Sequence, residues 1–118
     1  MRWERRGVKQ TKTTPELIDK MVRRLARRFK PEQIILFGSH ARGTAGRDSD
    51  VDLLVVTPLG GSKRDLEVAM RVALHDFAVP FDIIVVTPEE VQRRRNIPGT
   101  IVRPALLEGK VLYARARS

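Results

Sequence analysis

Residues 34–56, IILFGSHARGTAGRDSDVDLLVV, decide the fold of this chain. The stretch contains an apolar run, a Gly-Ser turn, a polar connection rich in glycine, and a second apolar run that begins with acids. Asp50 and Asp52 are two residues apart, and because side chains alternate between the faces of a strand, both point the same way. Two neighbouring carboxylates repel each other unless a positive charge lies between them.

That repulsion favours a divalent cation at the acid pair. Carboxylate oxygens are hard ligands, and Mg²⁺ is typically held by one or two carboxylates while phosphates and water complete its shell. The pattern therefore predicts a site for phosphoryl or nucleotidyl transfer at Asp50 and Asp52. Two solvated acids at the start of a strand are the alternative interpretation.

The Gly38-Ser39 turn after the first apolar run indicates a phosphate site. Glycine lets the backbone turn sharply and approach a ligand without a Cβ in the way. We expect a short helix to begin at Ser39, and the N-terminus of a helix favours anions. Arg42 belongs to the positively charged segment that leads back to the acids. A plain turn is the alternative here.

Length and composition indicate one domain. The 118 residues suffice for a single modest core, and the absence of cysteine excludes disulfides and thiolate metal sites. No apolar run approaches the roughly 20 residues of a membrane span, and the N-terminus lacks a signal-peptide pattern, so we expect a cytoplasmic protein. The net charge of +9 favours polyanionic or nucleotide partners, but few aromatic residues are available for stacking on bases.

The spacing of apolar residues predicts a mixed α/β fold. Residues 1–13 are basic and without period, so we predict a mobile arm there and a single domain over residues 14–118. The predicted architecture is a small mixed sheet of about four strands with flanking helices. We expect strands at residues 33–37, 51–56, 81–86 and 110–114, and helices at residues 15–29, from 39, 62–78, 87–95 and 100–107.

Asp82 lies one residue into the third predicted strand, FDIIVV. An acid in an apolar strand is costly unless it is paired, bound to metal or left at an exposed strand end. If the third strand lies beside the second, Asp82 joins Asp50 and Asp52 on one face. Three clustered carboxylates are a more specific signal than two.

Other residues that could be functional have simpler structural explanations. His40 is expected in a loop and His75 in a helix, and a lone histidine is more often structural or solvated. Arginines 93–95 at a helix end interact favourably with the helix dipole and with solvent. Trp3 falls in the predicted mobile arm.

The Gly-Ser turn, the Arg-Gly pair and the three acids together resemble the signature of the DNA polymerase β-like nucleotidyltransferase superfamily, and most closely its minimal, stand-alone members. The matching positions are Gly38-Ser39, Arg42-Gly43, Ser49-Asp50-Val51-Asp52 and Asp82. The resemblance implies a polymerase β palm-like fold. It also implies two Mg²⁺ ions bound by Asp50 and Asp52, with Asp82 as a further ligand and base for the attacking hydroxyl. Gly38 and Ser39 would hold the nucleoside triphosphate, and Arg42 would contact phosphate or a partner.

The same resemblance implies a protein partner. Larger members have additional domains that bind the base and the acceptor. We therefore expect this chain to depend on another protein for these functions. Members of this size resemble the antitoxin half of a pair whose partner is a helical HEPN protein, and some transfer AMP from ATP to a tyrosine of that partner. RNA and a second copy of the chain are further candidate partners. The alternative is a catalytically silent module that neutralises a HEPN-type partner or binds nucleotide or RNA.

Overall fold

The computed structural model describes residues 13–46, 49–95, 97, 99 and 102–115, and these contain five helices and four strands. The strands have the predicted bounds, and the predicted fold class is confirmed. In chain order the elements are α1 (Pro15–Phe29), β1 (Gln33–Phe37), α2 (Ser39–Arg42), β2 (Val51–Val56), α3 (Lys63–Ala73), β3 (Phe81–Val86), α4 (Pro88–Arg94), α5 (Val102–Glu108) and β4 (Lys110–Ala114).

Local capping fixes where the helices begin. The Thr14 hydroxyl accepts a hydrogen bond of 3.1 Å from the backbone N–H of Leu17, directly before the proline that opens α1. Ser62 caps α3 in the same way, and a capping box joins Thr87 and Glu90 at the start of α4. Each of these caps joins residues that are three positions apart in the sequence, so the helix starts follow from local chemistry.

Helix α3 ends earlier than its apolar spacing predicts. It stops at Ala73, whereas the pattern extends to about residue 78. The backbone continues in tighter turns, in which Leu74 N–H bonds the carbonyl of Arg71 and Phe77 N–H bonds that of Leu74. These turns still carry Leu74 and Phe77 to the core, which explains why the periodicity outlasts the helix.

The four strands form one mixed sheet in the order β3-β2-β1-β4. Strand β2 is parallel to β3 and antiparallel to β1, and β4 is antiparallel to β1. Strand β2 is therefore central in the sheet, and β3 and β4 are its edges. Because β2 and β3 are parallel and adjacent, the start of one strand lies beside the start of the other.

Each face of the sheet packs against its own helices. Helices α1 and α3 cover the face that carries Val51, Leu53 and Val55. The opposite face carries Leu54 and Val56 and packs against residues of α4 and α5. Since side chains alternate along a strand, Asp52 belongs to this second face.

Two predictions fall wholly or largely outside the described residues. The arm at residues 1–13, with Trp3, is described only at Thr13, and the boundary of the single domain stays a prediction. Within the part of the chain that the structure describes, no helix combines the length and the apolar character needed to cross a membrane.

Candidate active site

Two acids meet across the parallel strands. Asp52 of β2 and Asp82 of β3 are register partners, and Phe37 of β1 is the partner of Asp52 on its other side. Adjacent strands lie roughly 4.8 Å apart, so the two carboxylates start from neighbouring positions on one face. Asp50 is exposed and lies two residues before Asp52. The structure thus brings the three predicted acids to one end of the sheet.

Burial and neighbouring charges perturb the carboxyl group of Asp52. Burial raises the pKa of its carboxyl, and the nearby charges of Asp50 and Asp82 raise it further. His40 and Arg42 oppose these effects and lower the pKa. Among the described residues, the Asp52 carboxylate makes no hydrogen bond or ion pair. A partly buried acid that is surrounded by other acids and has a perturbed pKa is typical of functional sites.

Gly38 shapes the space beside Asp52. Its backbone has φ 76° and ψ −157°, a conformation that residues with a side chain rarely adopt. A Cβ at this position would overlap the Oδ2 of Asp52. Only glycine therefore lets the chain turn this close to the carboxylate.

Helix α2 starts directly after this turn. The N–H groups of Ala41 and Arg42 both bond the carbonyl of Gly38 at 3.1 Å, so the turn and the helix form one unit. The first N–H groups of a helix have no partner within it and suit an anion. Ser39 is the first residue of α2 and is half-buried.

Arg42 and His40 of α2 lie near the acids. Arg42 forms an exposed ion pair of 3.4 Å with Glu108 of α5. The Nε2 of His40 lies 3.2 Å from the carbonyl oxygen of Ser49, just before Asp50. The sequence predicted that His40 lies in a loop with a structural or solvated role, whereas the structure places it in α2; its place next to Ser39 was the available signal.

Asp82 makes an ion pair that the sequence did not predict. Arg71 of α3 donates a hydrogen bond of 2.8 Å from Nη2 to Oδ1 of Asp82, and a longer one of 3.3 Å to the carbonyl of Ile83. The backbone N–H of Ile83 donates to the same Oδ1 at 2.9 Å. One oxygen of the carboxylate thus has two donors within the protein.

The Arg71–Asp82 ion pair affects the predicted metal site, because Asp82 is one of its three acids. Among the described residues, no group of three or more His, Cys, Asp or Glu side chains is arranged to hold a metal ion. Two neighbouring carboxylates repel, and Asp82 is turned to Arg71 instead. Asp50 and Asp52 nevertheless fit a hard cation, because Asp52 is partly buried, lies near two other acids and has no hydrogen-bond donor among the described residues. Mg²⁺ would be held by Asp50 and Asp52; a role for Asp82 as a further ligand would require its carboxylate to exchange Arg71 for the ion.

The remaining sequence candidates lie apart from this cluster. The Nδ1 of His75 is 2.8 Å from the carbonyl oxygen of Val72, within the turn that follows α3. Arg93 and Arg94 occupy the last turn of α4, as their favourable interaction with the helix dipole predicts.

Comparison with known proteins gives matches both in sequence and in fold. The sequence model of the family described as "Nucleotidyltransferase domain" matches residues 18–101. A Methanocaldococcus jannaschii protein that bears the name protein adenylyltransferase is 31% identical over 106 residues, which cover 84% of this chain and 71% of that protein.

Solved structures share the fold at low sequence identity. A Sulfolobus solfataricus protein described as a nucleotidyltransferase superimposes with a TM-score of 0.57 at 23% identity, covering 85% of this chain and 79% of the other. A toxin–antitoxin structure with AMP-PNP gives 0.53 at 22% identity, covering 82% and 73%. A Shewanella oneidensis complex of a tri-AMPylated HEPN toxin with an MNT antitoxin gives 0.51 at 19% identity, covering 86% and 74%.

Proposed function

Because the chain belongs to the nucleotidyltransferase domain family, we propose that it moves AMP from ATP to a hydroxyl group of a HEPN-type partner protein, with Mg²⁺ at its acids. The family match and the adenylyltransferase relative support nucleotidyl transfer as the activity; the donor, the metal and the acceptor are the proposal. The observation that carries it is the pairing of Asp52 with Asp82 in parallel strands, with the Gly38 turn packed against Asp52. A cytoplasmic location, where ATP is available, is part of the proposal.

Each site residue has a role in this reaction. The acceptor hydroxyl oxygen attacks the α-phosphorus of ATP, the bond to the β-phosphate breaks, and pyrophosphate leaves. Asp82 accepts the hydroxyl proton. Gly38 and Ser39 hold the triphosphate at the start of α2. Mg²⁺ bound by Asp50 and Asp52, as two ions, would neutralise the phosphate oxygens and stabilise the leaving pyrophosphate.

Arg42 completes the phosphate site in this proposal. Its ion pair with Glu108 is long and exposed on both sides, and such pairs contribute only about 0 to 1 kcal/mol. The guanidinium is therefore free to exchange Glu108 for a phosphate, which it can bind through two donors.

We infer that the partner binds against α3. Val68 and Val72 lie one turn apart on this helix and expose 48% and 62% of their surface. Arg71 lies between them in sequence and reaches Asp82 from the same helix. A protein that covers this apolar pair would bring its acceptor group near the Arg71–Asp82 ion pair. Complexes of toxins with antitoxins among the structural neighbours support a partner of the HEPN type.

One observation favours a second candidate function. Asp82, a predicted metal ligand, is bound to Arg71 in an ion pair. A carboxylate that is engaged in this way suits a module that binds a partner without catalysis. Incubation of the chain with isotopically labelled ATP, Mg²⁺ and a HEPN-type partner distinguishes the two. The transferase adds AMP to the partner, detected by mass spectrometry, and the change of Asp50 and Asp52 to asparagine abolishes the addition. Asp65→Asn with Asp76→Asn is the matched control. Complex formation with no AMP added would support the silent module.

A further inference from the structure

A basic groove lies on the outer side of α1. Its walls carry five cations and one aromatic ring, and it encloses about 490 Å³. The residues that line it are Lys20, Arg23, Arg24, Arg27, Arg28 and Phe77. The groove is therefore a concave surface with one sign of charge.

The charge of the groove is mostly uncompensated. Arg24 is paired with Asp76, and Arg23 reaches Asp19 only at 3.9 Å, with both side chains more than half exposed. Among the described residues, the other three cations of the groove, Lys20, Arg27 and Arg28, have no ion-pair partner. Acidic residues would be the usual complement on a helix surface, and they are confined to the beginning of α1.

Like charges at this spacing work against the helix. Lys20 and Arg24 are four residues apart, as are Arg23 and Arg27, and Arg24 and Arg28. Such pairs destabilise a helix, whereas pairs of opposite charge stabilise it. The helix dipole favours Arg27 and Arg28 in the last turn but not Lys20 or Arg23. A surface that only met solvent gains nothing from this arrangement.

Arg24 is held in place at the bottom of the groove. Its guanidinium carbon lies 4.6 Å from the centre of the Phe77 ring, and Nη1 donates to the carbonyl of Ala73 at 3.0 Å and to Asp76. The planar cation is thus ordered before any ligand binds. Grooves that bind single-stranded nucleic acids combine cations along the backbone with aromatic or arginine platforms for the bases.

We propose that the basic groove binds the phosphate backbone of single-stranded RNA, without preference for sequence. Four of its five cations are arginines, whose fork of donors matches phosphate oxygens. From Lys20 to Arg28 the cations extend about 12 Å along the helix, which is long enough to contact more than one phosphate of an extended strand.

The groove is separate from the acid cluster. Helix α1 packs on the sheet face that carries Val51, Leu53 and Val55, whereas Asp52 alternates to the opposite face. RNA in the groove therefore does not compete with a nucleotide at the acids. The inference is independent of the proposed AMP transfer, and its test needs neither ATP nor a metal.

The experiment is fluorescence anisotropy with a labelled oligoribonucleotide of about ten nucleotides, in EDTA, at several salt concentrations. We expect the triple variant Arg23→Gln, Arg27→Gln, Arg28→Gln to bind at least tenfold more weakly than the wild type at low salt. Its salt slope should be smaller by about 2, since each single-strand phosphate contact contributes about 0.7. The matched control removes the same charge elsewhere, through Arg64→Gln, Arg93→Gln and Arg95→Gln, and should change the affinity less than twofold.

Three outcomes would overturn the inference. The wild type could fail to bind the RNA at low salt. Equal loss in the two triple variants would show attraction by net charge alone. Polyglutamate that competes as well as unlabelled RNA at equal charge would indicate a surface for acidic protein instead. Circular dichroism of both variants shows whether each is folded, and Lys20→Gln with Arg28→Gln provides a second variant if the first is not.

Discussion

Arg71 and Asp82 are joined by a hydrogen bond of 2.8 Å that connects α3 to the edge strand β3. The pair is about half exposed on both sides, so its contribution to stability is small. The position of the ion pair matters more than its strength, because the guanidinium of Arg71 binds the Asp82 carboxylate that the proposed reaction needs.

We predict that Arg71→Gln raises the affinity for a divalent cation about two- to fivefold, because the guanidinium no longer competes for Asp82. An exposed pair of this kind contributes up to about 1 kcal/mol, which sets this range. Titration with Mn²⁺, followed by electron paramagnetic resonance, measures the free ion directly. Arg64→Gln on the same helix is the control and should leave the affinity unchanged. Weaker binding by Arg71→Gln would mean that the arginine supports the metal site rather than competing with it.

Asp52→Asn should stabilise the metal-free protein at neutral pH. Burial and the neighbouring acids raise the folded-state pKa of Asp52 above its ordinary value. The folded protein therefore binds more protons than the unfolded chain between the two pKa values, and the free energy of unfolding falls as the pH rises through this interval. Below the ordinary pKa both states are protonated and the effect vanishes.

Thermal unfolding in EDTA at pH 7 and near pH 3 tests the direction of this pH effect on stability. We expect the melting temperature of Asp52→Asn to exceed that of the wild type by about 1–3 °C at pH 7, with the gain lost near pH 3. Asp65→Asn is an exposed control in α3. A destabilised Asp52→Asn at pH 7 would show that the carboxylate makes a favourable contact within the protein.

Gly38→Ala should abolish ATP binding, because the new Cβ would overlap the Oδ2 of Asp52. The strained backbone at this position would also lower stability by about 1–3 kcal/mol. Gly43→Ala is a useful comparison, since Gly43 also has a positive φ, of 79°, but a Cβ there meets nothing within 4 Å. We expect Gly43→Ala to lower the melting temperature and to retain ATP binding. Calorimetry showing equal ATP affinity for both variants would contradict the proposed role of Gly38.

Val68→Glu with Val72→Glu should weaken the complex with a HEPN-type partner at least tenfold and leave ATP affinity unchanged. Both side chains are exposed, so a charge at each position costs the isolated chain little, whereas a charge buried in an interface is costly. Exposed Val111 on β4 provides the control, as Val111→Glu. Biolayer interferometry with the immobilised partner measures the change. An unaffected complex would place the interface elsewhere.

The sequence predicted those features that depend on neighbouring residues. The start of α1 after Thr14, the start of α3 after Ser62 and the bounds of the four strands all follow from local periodicity and side-chain chemistry. The position of Asp82 beside Asp52 required one further assumption, that the third strand lies beside the second, and the structure pairs β2 with β3 in parallel.

The features that the sequence did not predict depend on how elements pack. Arg71 is an exposed helix residue with nothing in its surroundings to indicate a carboxylate partner, and its contact with Asp82 exists only because α3 lies against β3. The early end of α3 was also missed, because tight turns keep Leu74 and Phe77 at a helix-like spacing. The cation–π contact of Arg24 with Phe77 joins α1 to that turn and was likewise beyond local reasoning.

The central claim is that Asp50 and Asp52 hold a divalent cation against a triphosphate at the Gly38 turn. Isothermal titration calorimetry of ATP tests it most directly, with the wild type in Mg²⁺, the wild type in EDTA, and Asp50→Asn with Asp52→Asn in Mg²⁺. We predict binding in the first titration and none in the other two. Equal ATP affinity in all three would contradict the claim.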